Sequence, residues 1–179
     1  MMSPDQLLEC RIQPHDKPIL AIDTNVFLDA VFARHQSSVM LVERVGDLVG
    51  KNQAMLLETP DAIDEVRKTQ LRLKRQMIST LGSQKMIDSV LSMATIVNLS
   101  DKPCDWDYTL ENLGAVDIQL FRLVAEEGAE ILVTRDERLL RANKTYLQQD
   151  RNLGRIIRPS NGLQFLNTLD KIFQLNQSV

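Results

Sequence analysis

Aromatic side chains are scarce in this chain. One Trp, two Tyr and five Phe among 179 residues are too few for an extended platform on which nucleic-acid bases would stack. Cys10 and Cys104 are lone thiols without a Cys-x-x-Cys pair or zinc-ligand spacing, which argues against a disulfide framework or a thiolate metal site. The two histidines, His15 and His35, fall outside every strand-end motif, and most histidine-based acid–base or nucleophilic schemes go with them. No apolar run nears the ~20 residues of a membrane span, and Met1-Met-Ser-Pro-Asp-Gln6 lacks the basic start and apolar core of a signal peptide. These absences predict a cytoplasmic protein that does not engage a membrane.

Phosphate-binding loops are missing too. Gly46-Asp-Leu-Val-Gly50-Lys51-Asn52 is one residue short of a phosphate loop and has Asn where the magnesium-binding hydroxyl belongs. No Gly-x-Gly-x-x-Gly follows a strand, so a dinucleotide fold lacks its fingerprint. The Asp-x-Asp of haloacid-dehalogenase-like phosphatases is broken by Asn25.

What is present is an ordinary domain composition, 44% hydrophobic and 25% charged, enough for one full core. The net charge of −3 argues against a general nucleic-acid coat, but local sums differ. Arg67, Lys68, Arg72, Lys74 and Arg75 form a basic stretch without an acid, and residues 135–158 carry seven basic residues against Asp136, Glu137 and Asp150. These stretches read equally as solvated helix faces or as patches flanking an acidic centre.

Residues 1–17, broken by Pro4 and Pro14, read as an irregular leader. Thereafter apolar runs at 18–22, 54–57, 95–99, 129–134 and 154–158 alternate with helical patterns. The helices are expected at 24–32, 37–49, from Thr59 toward Leu81, at 84–93, from Ala115 to a C-cap at Gly128, from Glu137, and from Pro159 with Leu163, Leu166, Leu169 and Phe173 on one side. Residues 46–53 read as a connector. Such alternation predicts an α/β fold, a three-layer α/β/α sandwich around a mainly parallel sheet.

Four acids stand where strands end or helices begin: Asp23, Glu65, Asp117 and Asp136. Carboxylates gathered at strand ends would repel one another until protons or cations neutralise them. Hard oxygen donors of this kind select Mg²⁺ or Mn²⁺, and such an ion can activate water for phosphodiester hydrolysis. Each acid also has a plainer reading, as a helix cap for Asp23, Asp117 and Asp136 and as a favourable charge near a helix start for Glu65.

Asp23-Thr24-Asn25, Thr59-Pro60 leading to Glu65-Val66, Gly114-Ala-Val-Asp117 and Thr134-Arg135-Asp136 together resemble the four motifs of PIN-domain nucleases. The resemblance runs from about residue 18 to 136 and is joined by Arg158-Pro-Ser-Asn-Gly-Leu-Gln-Phe165, similar to the family's closing strand-to-helix passage. It implies a Mg²⁺- or Mn²⁺-dependent ribonuclease whose four acids bind metal, with Asn25 and Thr134 as polar helpers. Arg67, Lys68, Arg72, Arg75 and Arg135 are then candidates for contacts to RNA phosphates. The chain is longer than the compact VapC-type toxins of the family, with the leader and a helical stretch at about 70–93 as the additions. Two further readings stay open: a non-cleaving RNA-binding module, and the toxin half of a toxin–antitoxin pair, with an antitoxin protein as partner and a homodimer as its assembly.

Overall fold

A strand whose successive side chains point to opposite faces needs cover on both sides when every position is apolar. Ile19–Ile22 and Ile131–Val133 are such runs. In the computed structural model, which describes residues 17–32, 35–75, 81–99, 113–147 and 153–176, the order is β1 Ile19–Ile22, α1 Thr24–Val31, α2 Gln36–Gly50, β2 Met55–Glu58, α3 Pro60–Arg75, α4 Leu81–Ser92, β3 Thr95–Ile96, α5 Ala115–Ala125, β4 Ile131–Val133, α6 Glu137–Ala142, β5 Arg155–Ile157 and α7 Pro159–Asn176. Residues 1–16 of the expected leader, the Trp106 loop and both cysteines lie outside the described residues.

The five strands form one sheet in the order β3-β2-β1-β4-β5, and every pairing is parallel. Leu20, Ile22, Leu56, Ile131, Val133 and Ile157 face one layer of helices, where Phe27, Leu41, Val45, Ile87 and Phe165 meet them. Ala21, Leu57, Leu132 and Ile156 face the other, packed by Leu120, Phe121 and Leu123 of α5 and Leu139 of α6. This is the three-layer α/β/α sandwich expected. Burying a side chain such as Phe27 or Phe121 contributes about 1.5–3 kcal/mol, so both helical layers are held by their own cores. Among the described residues no helix is long and apolar enough to cross a membrane.

Chain order reverses between β1 and β4. The strands after β1 build outward through β2 to β3, whereas β4 and β5 build the other way. Such a reversal splays the connections apart and leaves a crevice at the carboxyl ends of the two central strands. Asp23 follows β1 at that crevice, and Thr134-Arg135-Asp136 follows β4.

Some boundaries differ from the sequence reading, each for a packing reason. The expected connector at 46–53 begins later, because α2 continues to Gly50. A Cβ on Gly46 would lie 2.7 Å from Val90 Cγ2, so this glycine lets α2 and α4 approach closely. The third strand ends at Ile96, not Leu99. Val97 still donates to Glu58 O at 2.9 Å, but the Leu99 carbonyl accepts from the buried Arg122 guanidinium at 3.1 Å and leads the chain out of the sheet. The second strand runs one residue later than expected, so it ends on Glu58. Helix α6 widens into a π turn at Asn143–Leu147, where the buried Asn143 side chain accepts from Ile156 N at 2.9 Å. Helix α5 ends at Ala125 with its C-cap at Glu126, not at the expected Gly128; Gly128 follows with a positive φ of 79°, which glycine adopts without strain.

Candidate active site

Local capping places three aspartates at the crevice. Asp23 is the N-cap of α1 and accepts from Asn25 N at 3.3 Å. Asp136 caps α6 and accepts from Arg138 N at 2.6 Å. Asp117, in the first turn of α5, accepts from Gly114 N at 3.1 Å. Three helix N-termini thus bring their positive dipole ends and their acids to one region. The capping and site readings of these residues are compatible, since a cap fixes the carboxylate that a site would use.

Asn25 and Thr134 stitch the two central loops together. The Asn25 amide donates to Asp23 Oδ2 at 2.6 Å while its Oδ1 accepts from Arg135 N at 3.2 Å. The Thr134 hydroxyl donates to Asp23 Oδ2 at 2.5 Å and accepts from Asp136 N at 2.8 Å. One hydroxyl therefore couples the acid after β1 to the backbone of the acid after β4.

The electrostatics bind the three acids further. Burial pushes the Asp23 carboxyl up from 3.8 to about 6; the Thr134 and Asn25 bonds oppose this, and the charges of Asp117 and Asp136 add to it. Asp117 is also raised, chiefly by burial and in part by Asp136, against the Gly114 N–H and Arg138. Asp136 is lowered, because Arg138 bonds its carboxylate directly. Arg138 Nη2 stands 2.6 Å from Asp136 Oδ2 and 3.2 Å from Asp117 Oδ2.

The other predicted residues make different contacts. Glu65 is exposed on α3 and, among the described residues, forms no hydrogen bond or ion pair with the three aspartates. One turn before it, Asp61 accepts from the Gln119 amide of α5 at 2.7 Å, which ties the start of α3 to the helix carrying Asp117. Arg67, Lys68, Arg72 and Arg75 are exposed along α3. Arg135 pairs with Asp29 at 3.1 Å, and His35 approaches the same carboxylate at 3.9 Å.

Sequence reasoning passed over Glu58. It closes β2 next to β1, is 1% exposed, and accepts from Ile22 N at 3.2 Å. Burial raises its pKa well above the ordinary value, the Ile22 N–H opposing this and the Asp23 charge adding to it. Its signal, an acid at the end of an apolar strand, is the one that drew attention to Asp23. The motif reading of Glu65 displaced it.

The donor chemistry of this cluster fits a hard divalent cation. Asp23, Asp117 and Asp136 offer carboxylate oxygens, and two of them are pushed up in pKa, in part by neighbouring negative charge, an excess that a cation relieves. Among the described residues no three acidic, His or Cys side chains are set together closely enough to hold one ion. Asp117 and Asp136 are instead joined by the Arg138 guanidinium.

A family model described as PIN domain matches residues 20–138, more than half of the chain and all three aspartates. The crystal structure of PAE2754 from Pyrobaculum aerophilum is similar in fold, with a TM-score of 0.51 at 17% identity, over 87% of this chain and 90% of that one. No curated protein matches the chain.

Proposed function

The chain belongs to the PIN-domain family, a family of nucleases, and from that premise we propose that it is a divalent-metal-dependent endoribonuclease. The observation that carries this reading is the joining of Asp23, Asp117 and Asp136 through Thr134 and Arg138 at the reversal of the sheet. In this reading Asp23, Asp117 and Asp136 would hold Mg²⁺ or Mn²⁺, with Glu65 of α3 as the fourth acid. When bound, the ion supplies Lewis acidity and a nucleophile at neutral pH.

The chain's own residues have separate tasks. Thr134 and Asn25 fix the Asp23 carboxylate, and their donors favour its ionised form against burial. Asn25 also holds the Arg135 backbone, so the two central loops keep one spacing. Arg67, Lys68, Arg72 and Arg75 offer an exposed basic face to phosphates, and the few aromatics favour backbone contact over base stacking. The non-cleaving RNA-binding reading draws support from one observation, the guanidinium lying across Asp117 and Asp136.

The test is incubation of the purified protein with mixed single-stranded and structured RNA, with and without Mn²⁺, beside Asp117→Asn. Cleavage should require the ion and fall by orders of magnitude in the variant, whose size is kept and whose charge is lost. Parental-rate cleavage by a folded Asp117→Asn protein would sink the mechanism. Binding without cleavage by the parent would move the chain to the RNA-binding reading.

A further inference from the structure

A positive side chain at the second residue of a helix is set against the helix dipole. Arg138 occupies that position in α6, and what holds it there is acid. Its backbone N–H donates to Asp136 Oδ1 at 2.6 Å. Its guanidinium then folds back over the same carboxylate, with Nε 3.2 Å and 3.1 Å from the two oxygens and Nη2 2.6 Å from Oδ2. The same Nη2 reaches Asp117 Oδ2 on α5 at 3.2 Å. One side chain thus bonds carboxylates at the starts of two separate helices.

Resting on the ribonuclease reading of this site, we infer that Arg138 is the resident counter-ion of the acidic centre and that a divalent cation must displace it from Asp117 and Asp136 to bind. The contacts are those a cation would make: charge-assisted, partly bidentate and shared between two acids. The guanidinium and the ion therefore compete for the same oxygens. Displacement is open to the side chain, which is 46% exposed and belongs to neither core. Arg138 in this account lowers the affinity for the ion, and it keeps two like charges compatible when no ion is bound. It is a positioning residue whose effect runs through Asp117 and Asp136.

The test measures binding of Mn²⁺ alone, by calorimetric titration of the full-length protein stripped with chelator, for the parent, Arg138→Gln and Arg138→Lys. Arg138→Gln should bind Mn²⁺ about tenfold more tightly, one tenfold step corresponding to ~1.4 kcal/mol. Arg138→Lys keeps the charge, loses the planar fork, and should fall between. Melting provides a second readout: in chelator Arg138→Gln should melt below the parent, and Mn²⁺ should raise its melting temperature by more than it raises the parent's. If Arg138→Gln binds Mn²⁺ with equal or weaker affinity, the guanidinium does not compete and the inference fails while the metal site stands. If neither parent nor variants bind Mn²⁺, both the inference and the metal-dependent reading fail.

Discussion

The ends of β1 and β2 lie side by side, and each carries a buried carboxyl. Asp23 is 4% exposed and Glu58 1%, so burial alone does not separate them. Their donors do. Asp23 accepts from the Thr134 hydroxyl, the Asn25 amide and the Asn25 backbone; a bond from the Ile22 N–H meets Glu58. Donors to a carboxylate stabilise its ionised form, and the outcome follows: Asp23 rises to about 6 while Glu58 rises well above the ordinary range. Asp23 can be charged near neutrality, beside Asp117 and Asp136. Glu58 favours its protonated form, and the Asp23 charge reinforces that preference. Position at a strand end brings an acid to the crevice, and the surrounding donors decide whether it acts there as an anion.

The largest effect that can break this comparison is on stability against pH. A folded-state pKa of about 6 against an ordinary 3.8 for Asp23 means that stability fully present below pH ~4 is lost as pH rises through 6, by about 3 kcal/mol. Urea unfolding in chelator across pH 4 to 7 should show a decline in the parent that is smaller by this amount in Asp23→Asn, where Glu58 and Asp117 still titrate. Adding Mn²⁺ should blunt the decline, because a bound cation favours the ionised carboxylate. Identical pH dependence in parent and variant would show that Asp23 is not held above its ordinary range.

A smaller effect is expected at the donor that distinguishes the two acids. Thr134→Val removes the hydroxyl that donates to Asp23 and accepts from Asp136 N. Leaving those groups short of a partner costs about 1–3 kcal/mol. The same change should move the Asp23 decline to higher pH, since an opposing bond is gone. A Thr134→Val protein with unchanged stability and pH profile would remove Thr134 from the account.

The smallest effect belongs to Glu58→Gln at pH 5. The amide oxygen can still accept from Ile22 N, so stability should stay within about 1 kcal/mol of the parent there. As pH rises, the parent loses what protonated Glu58 contributes and the variant does not, so the variant should become the more stable of the two. A variant that instead loses ground at high pH would mean Glu58 is ionised in the fold.

Much of this arrangement was legible in the sequence. The buried strands read as apolar runs because both faces are covered, and Asp23 and Asp136 stood out because short strand-to-helix connections put helix caps one and three residues past the ends of β1 and β4. Gly46 misled because its close approach to Val90 is a tertiary fact, invisible in a local pattern that reads as turn. Glu58 and Arg138 were missed for a related reason. Whether an acid is ionised, or an arginine reaches a carboxylate on another helix, depends on neighbours that the chain brings together only on folding. Along α3 Asp61, Asp64 and Glu65 all stand near the helix start, and spacing alone could not say that Asp61 would be tied to Gln119.

The most direct test of the central claim sets Asp23→Asn and Glu58→Gln side by side in one RNA-cleavage assay at neutral pH with saturating Mn²⁺. The account requires Asp23→Asn to lose the rate by orders of magnitude and Glu58→Gln to keep it within a few-fold, both proteins being folded by circular dichroism. It is contradicted if Asp23→Asn cleaves at the parental rate, or if Glu58→Gln loses as much as Asp23→Asn does.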